Sequence, residues 1–289
     1  MSMRITCFAG VMLAALALTG CGQAASTHSS PHALSPVKDL VLTAAATHTR
    51  HAGSARVAMD MTMSTEQGTI TMRGTGQFTF HSPAAGAMHL SMTVPTAGTT
   101  IGFDERILGT TIYMRSPVLS QSIPNSRPWL KVDLERIGKQ QGIDFAALMN
   151  SGNSDPTTVL TYLDATSDTV LDMGHAQVDG VATTHYHADI DLSKAMRVMV
   201  ARAPAGQRRA VRSTYRNLLQ ESGTTSYPVD VWVDAGGYVR QMHMSVPMPV
   251  AQSSMDMTMK LSHFGAPVHI TPPPASQVTD LAALAAHGA

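Results

Sequence analysis

Residues 54–64, SARVAMDMTMS, alternate with a period of two: Val57, Met59, Met61 and Met63 fall on one side, and Ala58, Asp60, Thr62 and Ser64 on the other. Side chains of an extended strand point alternately to opposite faces, so the pattern describes a strand with one apolar and one wet face. It returns at Met88-x-Leu90-x-Met92, at Met242-x-Met244 and at Met255-x-Met257-x-Met259, with Ser245, Asp256 and Thr258 in the opposite phase. Strands of one polarity separated by turn residues predict an antiparallel sheet with one solvated face.

Working outward, Glu66-Gln67-Gly68 reads as a turn, and Ile70, Met72, Gly74, Gly76, Phe78 and Phe80 follow on the returning strand. Residues 99–103 and 110–114 are expected to pair across a turn near 105–109, and residues 129–132 form a short strand after Pro128. Residues 170–178 and 183–190 flank Asp179-Gly180, a hairpin turn. Residues 227–233, 238–246 and 254–264 supply the last strands. Helices are expected at three places. Ser35-Pro36 caps and opens the first, which carries Val37, Leu40, Val41 and Ala44 at helical spacing to about His51. Residues 144–149 and a segment opened by Asp155-Pro156 make the second, and residues 193–220 the third, broken at Pro204 and Gly206. Pro272-Pro273-Pro274 stops regular structure, and the final residues form a short helix or fray. The sum is an α+β fold of about ten or eleven antiparallel strands, enough to curl into a barrel or half-barrel.

The N-terminus carries a different signal. Arg4 is the only charge before Lys38, and residues 5–18 (ITCFAGVMLAALAL) form an apolar run of signal-peptide length, too short to span a bilayer. Leu18-Thr19-Gly20-Cys21 then matches a lipobox: a branched residue, two small residues and the Cys whose thiol receives a diacylglyceryl group. The expected organisation is a lipoprotein signal peptide at 1–20 and a flexible tether at 21–35 beginning at lipidated Cys21. A single domain follows at 36–270, then a Pro-rich tail at 271–289. Cys7, the only other cysteine, lies in the discarded segment, so the mature domain has no disulfide and depends on its core. The chain has no formal net charge and only 14% charged residues, which argues against a nucleic-acid partner.

The hairpin GHAQVDGVATTHYHADIDL (174–192), the segment PVDVWVDAGGYVR (228–240) and Arg127-Pro128-Trp129-Leu130-Lys131-Val132 resemble actinobacterial lipoproteins of the LppX/LprAFG type, within the LolA/LolB-like superfamily. With the lipobox, the resemblance covers nearly the whole chain. It implies a curved, incompletely closed antiparallel sheet with helices on its concave side, enclosing an apolar cavity. It also implies a carrier that moves lipids or glycolipids across the cell envelope, at the outer face of the cell membrane, with an envelope transporter as a further partner. The chain is longer than this pattern around residues 115–150 and in the tail.

Methionine is abundant, at 20 residues, while aromatics make up 5%. Met is flexible and polarizable, so Met59, Met61, Met63, Met88, Leu90, Met92, Met242, Met244, Met255, Met257 and Met259 are candidates to line a deformable lipid cavity. The alternative is an ordinary core beneath the helices. M-x-M spacing near histidine also suits Cu(I), but His243 points away from Met242 and Met244 and no Cys remains, so no metal or other cofactor is expected. There is no G-x-S-x-G, H-E-x-x-H or Gly-rich phosphate loop, and no enzyme is expected. Residues 193–220 hold seven of the 20 basic residues and no acid, and Arg208, Arg209 and Arg212 are candidates to contact an anionic headgroup or membrane. A solvated face of a core-packed helix is the competing reading. Two functions follow: a membrane-anchored, non-catalytic binder or carrier of an amphiphile, or a structural or signalling lipoprotein that binds a protein and no lipid.

Changing Cys21 to Ser is expected to release the protein from the membrane or leave it unprocessed, as measured by membrane fractionation with mass spectrometry of the N-terminus. A Cys21→Ser protein that is still processed, acylated and membrane-bound would refute the anchor.

Overall fold

The computed structural model describes residues 35–37, 40–65, 68–81, 85–94, 98–122, 127–136, 159–203, 205–206, 208–209, 211–213, 216, 224–248 and 253–281. A short strand β1 (Ser35–Val37) precedes helix α1 (Leu40–His51). Next come β2 (Ser54–Thr65), β3 (Gly68–Thr79), β4 (Ala85–Val94), β5 (Thr99–Leu108) and β6 (Thr111–Arg115). Helix α2 (Pro117–Ser122) leads to β7 (Trp129–Asp133). Helix α3 (Val159–Tyr162) runs into a 3-10 turn (Leu163–Ala165), then β8 (Thr166–Val178), β9 (Val181–Asp191) and helix α4 (Leu192–Arg202). The chain ends with β10 (Ser226–Asp234), β11 (Val239–Met248), β12 (Ser253–Ser262), a 3-10 turn (Ala275–Gln277) and β13 (Val278–Asp280).

The strands form one sheet in the order β1-β8-β9-β10-β11-β12-β2-β3-β4-β5-β6-β7-β13. It is curved and unclosed, as expected. Two runs of sequential strands, β2 to β7 and β8 to β12, are joined by antiparallel pairing of β12 with β2. That seam pairs two identical pentapeptides, Met59–Met63 and Met255–Met259, both MDMTM, about the Met61–Met257 pair. Met59 faces Met259 and Met63 faces Met255.

Helices α1, α3 and α4 lie on the methionine side. Leu42 and Ala46 of α1, Leu160 of α3, Leu163 of the 3-10 turn and Ala195 of α4 join Val57, Met88, Met242, Met259 and Leu261 in one core. Thr49 ties α1 to the sheet. Its hydroxyl donates to the Ala45 carbonyl at 2.7 Å and accepts from the Val239 amide at 2.9 Å, so this fully buried polar group is satisfied. The helix stops at Gly53, whose φ of 80° turns the chain into β2. At the β8–β9 hairpin Asp179 and Gly180 both have positive φ, 49° and 82°, the conformation a two-residue turn needs to match strand twist. Among the described residues no helix is long and apolar enough to cross a membrane.

Several expectations are corrected. Ser35 and Pro36 do not open a helix; they form β1, pairing with Asp172 and Leu171 at the sheet edge, where proline's missing donor is tolerated. The buried stripe of α1 is Leu42, Ala45, Ala46 and Thr49, while Leu40 is 64% exposed. Glu105 is not in a turn: β5 continues to Leu108 and the turn falls at Gly109 and Thr110. The third helix is broken where expected: α4 ends at Arg202, where Ala203, next to Pro204, has ψ of 144° because the proline ring disfavours a helical predecessor, and residues 208–209, 211–213 and 216 are helical again. Regular structure does not stop at the three prolines. After them β13 pairs in parallel with β7, and the tail is tied down by Arg106 to the Thr271 carbonyl and by Arg127 to the Ala275 carbonyl. The described residues thus form thirteen strands, with β1 and β13 as the additions. The helix expected at 144–149 lies outside the described residues.

Gly76 sits where β3 and β4 approach closely. A Cβ there would lie 2.3 Å from the Ala87 carbonyl oxygen and 2.9 Å from the Met88 Cα, both backbone atoms. Gly76→Ala is therefore expected to cost about 1–3 kcal/mol, the range for forced overpacking, despite alanine's better strand entropy. A denaturant titration in which Gly76→Ala matches the parent would refute this close approach.

Candidate functional site

Register converts the period-two pattern into rows that run across the strands. One row on the helix-bearing face reads Val229, Met244, Met257, Met61, Met72, Met92 and Ile101, one residue from each of seven adjacent strands. The row nearer α1 reads Val231, Met242, Met259, Met59, Gly74, Leu90 and Phe103. On the other side lie Val246, Met255, Met63 and Ile70.

All eleven sulfur and leucine positions expected to line the cavity fall on this face, but burial divides them. Met88, Met242, Met244 and Met259 are buried in the core. Met59, Leu90 and Met257 are half-buried against it. Met61, Met63, Met92 and Met255 are half-buried as well, and Met72, Ile70 and Ile101 share their state. On the opposite face Asp60 is exposed, while Thr62, Asp256 and Thr258 are half-buried. The apolar face is thus packed under α1 and partly open at its far end. Met72 completes the central row, and its alternation with Ile70 was the signal that would have added it.

Fully burying a side chain of this size contributes about 1.5–3 kcal/mol. A contiguous group of half-buried methionines leaves part of that gain unrealised.

Arg208, Arg209 and Arg212 come together with Ala205, Ser213 and Arg216 around a cleft of about 590 Å³. All four guanidinium-bearing residues are exposed, and Arg208 Nε donates to the Ala203 carbonyl at 3.1 Å, bracing the cleft against the end of α4. Among the described residues, four cations and no carboxylate line this space, which suits an anion. Arg216 joins the three arginines named from sequence. Cys21 lies outside the described residues.

His185 and His187 occupy the solvated face, where His185 Nε2 and His187 Nδ1 lie 2.8 and 3.0 Å from the same Asp230 oxygen. The His185 ring stacks on Trp232 at 4.3 Å. His243 also faces this side, against the Thr258 hydroxyl at 3.1 Å. Among the described residues no group of three or more His, Cys, Asp or Glu is arranged to hold a metal ion. Asp191 caps α4, accepting from the amides of Ser193 and Lys194.

No protein-family model matches the chain, and no curated protein matches it. Solved structures do. LprF from Mycobacterium bovis is 13% identical with a TM-score of 0.48, over 82% of this chain and 97% of that one. Mycobacterium tuberculosis lipoprotein LppX is 13% identical with a TM-score of 0.43, over 81% of this chain and 100% of that one. An outer membrane lipoprotein-sorting protein domain from Vibrio parahaemolyticus is 10% identical with a TM-score of 0.28, over 78% and 92%. LprF and LppX are lipoproteins of the type that the sequence resembles.

Glu105 is an acidic residue on the apolar face, paired with Met88 on one side and Met114 on the other. Burial pushes its carboxyl above the ordinary value of 4.5. The folded state therefore holds its proton more tightly than the unfolded state, and stability falls as pH rises from that value through the raised one. Glu105→Gln should match the parent in melting temperature below pH 4.5 and exceed it at neutral pH. Equal melting temperatures at both pH values would show that the carboxyl is solvated in the folded protein.

Proposed function

We propose that the chain is a lipid-anchored, extracytoplasmic protein that binds or carries an amphiphilic lipid or glycolipid without covalent chemistry. The observation that carries this reading is the burial gradient along the methionine rows. The same face is core at one end and half-open at the other, and the half-open part is lined by the side chains best able to adapt to a flexible acyl chain. Acyl chains would lie along Met61, Met63, Met72, Met92 and Met255. An anionic headgroup would meet the guanidiniums of Arg208, Arg209 and Arg212. The apolar leader and the lipobox at Cys21 supply export and the anchor in this reading.

The direct test is organic extraction and mass spectrometry of the purified full-length chain, beyond its own N-terminal acyl groups. Copurified lipid, lost in a Met61→Glu/Met72→Glu variant that still melts cooperatively, is expected. Absence of lipid in the parent, together with no uptake from vesicles, would overturn the proposal in favour of a protein-binding lipoprotein. Charge reversal at Arg208, Arg209 and Arg212 should slow extraction from anionic vesicles at low salt while leaving the melting temperature unchanged, because exposed charges contribute little to stability. The difference should shrink as salt shortens the screening length to about 8–10 Å. An undiminished rate at low salt would assign the arginines no headgroup role.

A further inference from the structure

The face opposite the methionine rows carries a second cleft, of about 630 Å³, at the β2 to β7 end of the sheet. Register explains its shape. Arg56, Gln77, Ala87 and Arg106 lie in one outward row across four adjacent strands. Thr75, His89, Asp104 and Arg115 lie in the next. Ala87 is the small member of its row, with a long polar side chain on each side, so the surface dips above it. Arg56 and Arg106 leave the backbone three strand spacings apart, about 14 Å, and can lean inward from both walls.

The cleft is built as well as shaped. Trp129 is only 3% exposed and carries two guanidiniums on its ring, Arg106 at 4.8 Å and Arg115 at 4.9 Å. Arg106 is held further by its hydrogen bond to the Thr271 carbonyl at 2.9 Å, so the C-terminal tail fixes one wall. Arg115 is neutralised by Asp104, with Nη2 at 2.5 Å, and His89 Nδ1 lies 2.8 Å from the other Asp104 oxygen. Burial alone would raise the Asp104 carboxyl, but these hydrogen bonds and charges outweigh it and hold the group below its ordinary value. Glu105 belongs to the floor but alternates to the other face. Among the described residues the one outward carboxylate lining the cleft is therefore committed to Arg115, and the guanidiniums of Arg56 and Arg106 exceed the acids that face them.

We infer that this outward cleft binds a sugar phosphate, with Arg56 and Arg106 on the oxyanion and the Gln77 amide and Thr75 hydroxyl on the sugar. A fork of guanidinium donors matches phosphate geometry, and the neutral amide and hydroxyl supply the mixed donors and acceptors that sugar hydroxyls need. The volume falls within the size range of small-molecule clefts. Lipid cargo on the opposite face would be independent of it.

Trp129 and Trp232 are the only tryptophans, so a Trp232→Phe version of the full-length chain leaves Trp129 as a reporter between the two arginines. Titration with glucose 6-phosphate should change Trp129 emission saturably, inorganic phosphate should bind more weakly, and glucose should give no response. Arg56→Gln is expected to weaken glucose 6-phosphate by about tenfold or more, the loss of one charge-assisted hydrogen bond. It removes an exposed side chain and spares the tail contact of Arg106, so the fold should be retained; Arg209→Gln should bind as the parent does. No saturable change with glucose 6-phosphate, an equal response to glucose, or full affinity in Arg56→Gln would overturn the inference. Lipid extraction is expected to be unchanged in Arg56→Gln, so the two proposals fail separately.

Discussion

Everything else in the sheet depends on the pairing of β2 with β12. Nine residue pairs hold the strands together although about 190 residues separate them in sequence. Without the seam, β2 to β7 and β8 to β12 are two open meanders, each with an exposed edge at its centre. The identical MDMTM segments make this seam self-complementary, methionine against methionine and aspartate against threonine. A slip of one residue would set either Asp60 or Asp256 on the apolar face, so burial of that face enforces the phase. The flanking pairs Val57 with Leu261 and Ala58 with Lys260 oppose a slip of two.

The two faces created by this register do different work. On the methionine side the helices supply small and branched partners for one end, and the core there is closed. Farther along, the same strands run out from under α1, and their side chains remain apolar but half-covered. Methionine can fill such a place in many rotamers, which makes it a poor specifier of a unique core and a good lining for a variable partner. The opposite face is polar and is organised by ion pairs and hydrogen bonds: Asp60 with Arg73, Asp104 with Arg115, and Asp230 with the rings of His185 and His187. Such exposed pairs contribute little to stability individually. What they do is decide which guanidiniums are neutralised and which remain available to an anion.

The sheet edges are managed by the ends of the domain. The three-residue β1 caps β8, and Pro36 within it offers no amide donor to a further strand. At the other edge the tail runs from Gly265, whose amide bonds the Ser54 carbonyl, past Arg106 and Arg127 to pair beside β7. The prolines that discourage a strand or helix in this tail suit an extended strap.

What the sequence by itself determined is whatever follows from nearest neighbours along the chain. Alternation placed Met59, Met61, Met63, Met255, Met257 and Met259 on strands and on one common face, and Asp179-Gly180 marked a hairpin. The limits of this reading are equally local. Ser35-Pro36 has the same chemistry at a helix start as in an edge strand, and only pairing with β8 decided between them. Glu105 looked like a turn residue because a carboxylate is costly on an apolar face, and the sheet holds it there between Met88 and Met114. Only the tertiary structure decided that β2 lies beside β12, that the methionines divide into core and half-open rows, and that Arg56, Arg106 and Arg115 share one cleft with Trp129. Backbone periodicity is a property of a few consecutive residues, whereas strand order, burial and the gathering of charges depend on segments far apart in the chain.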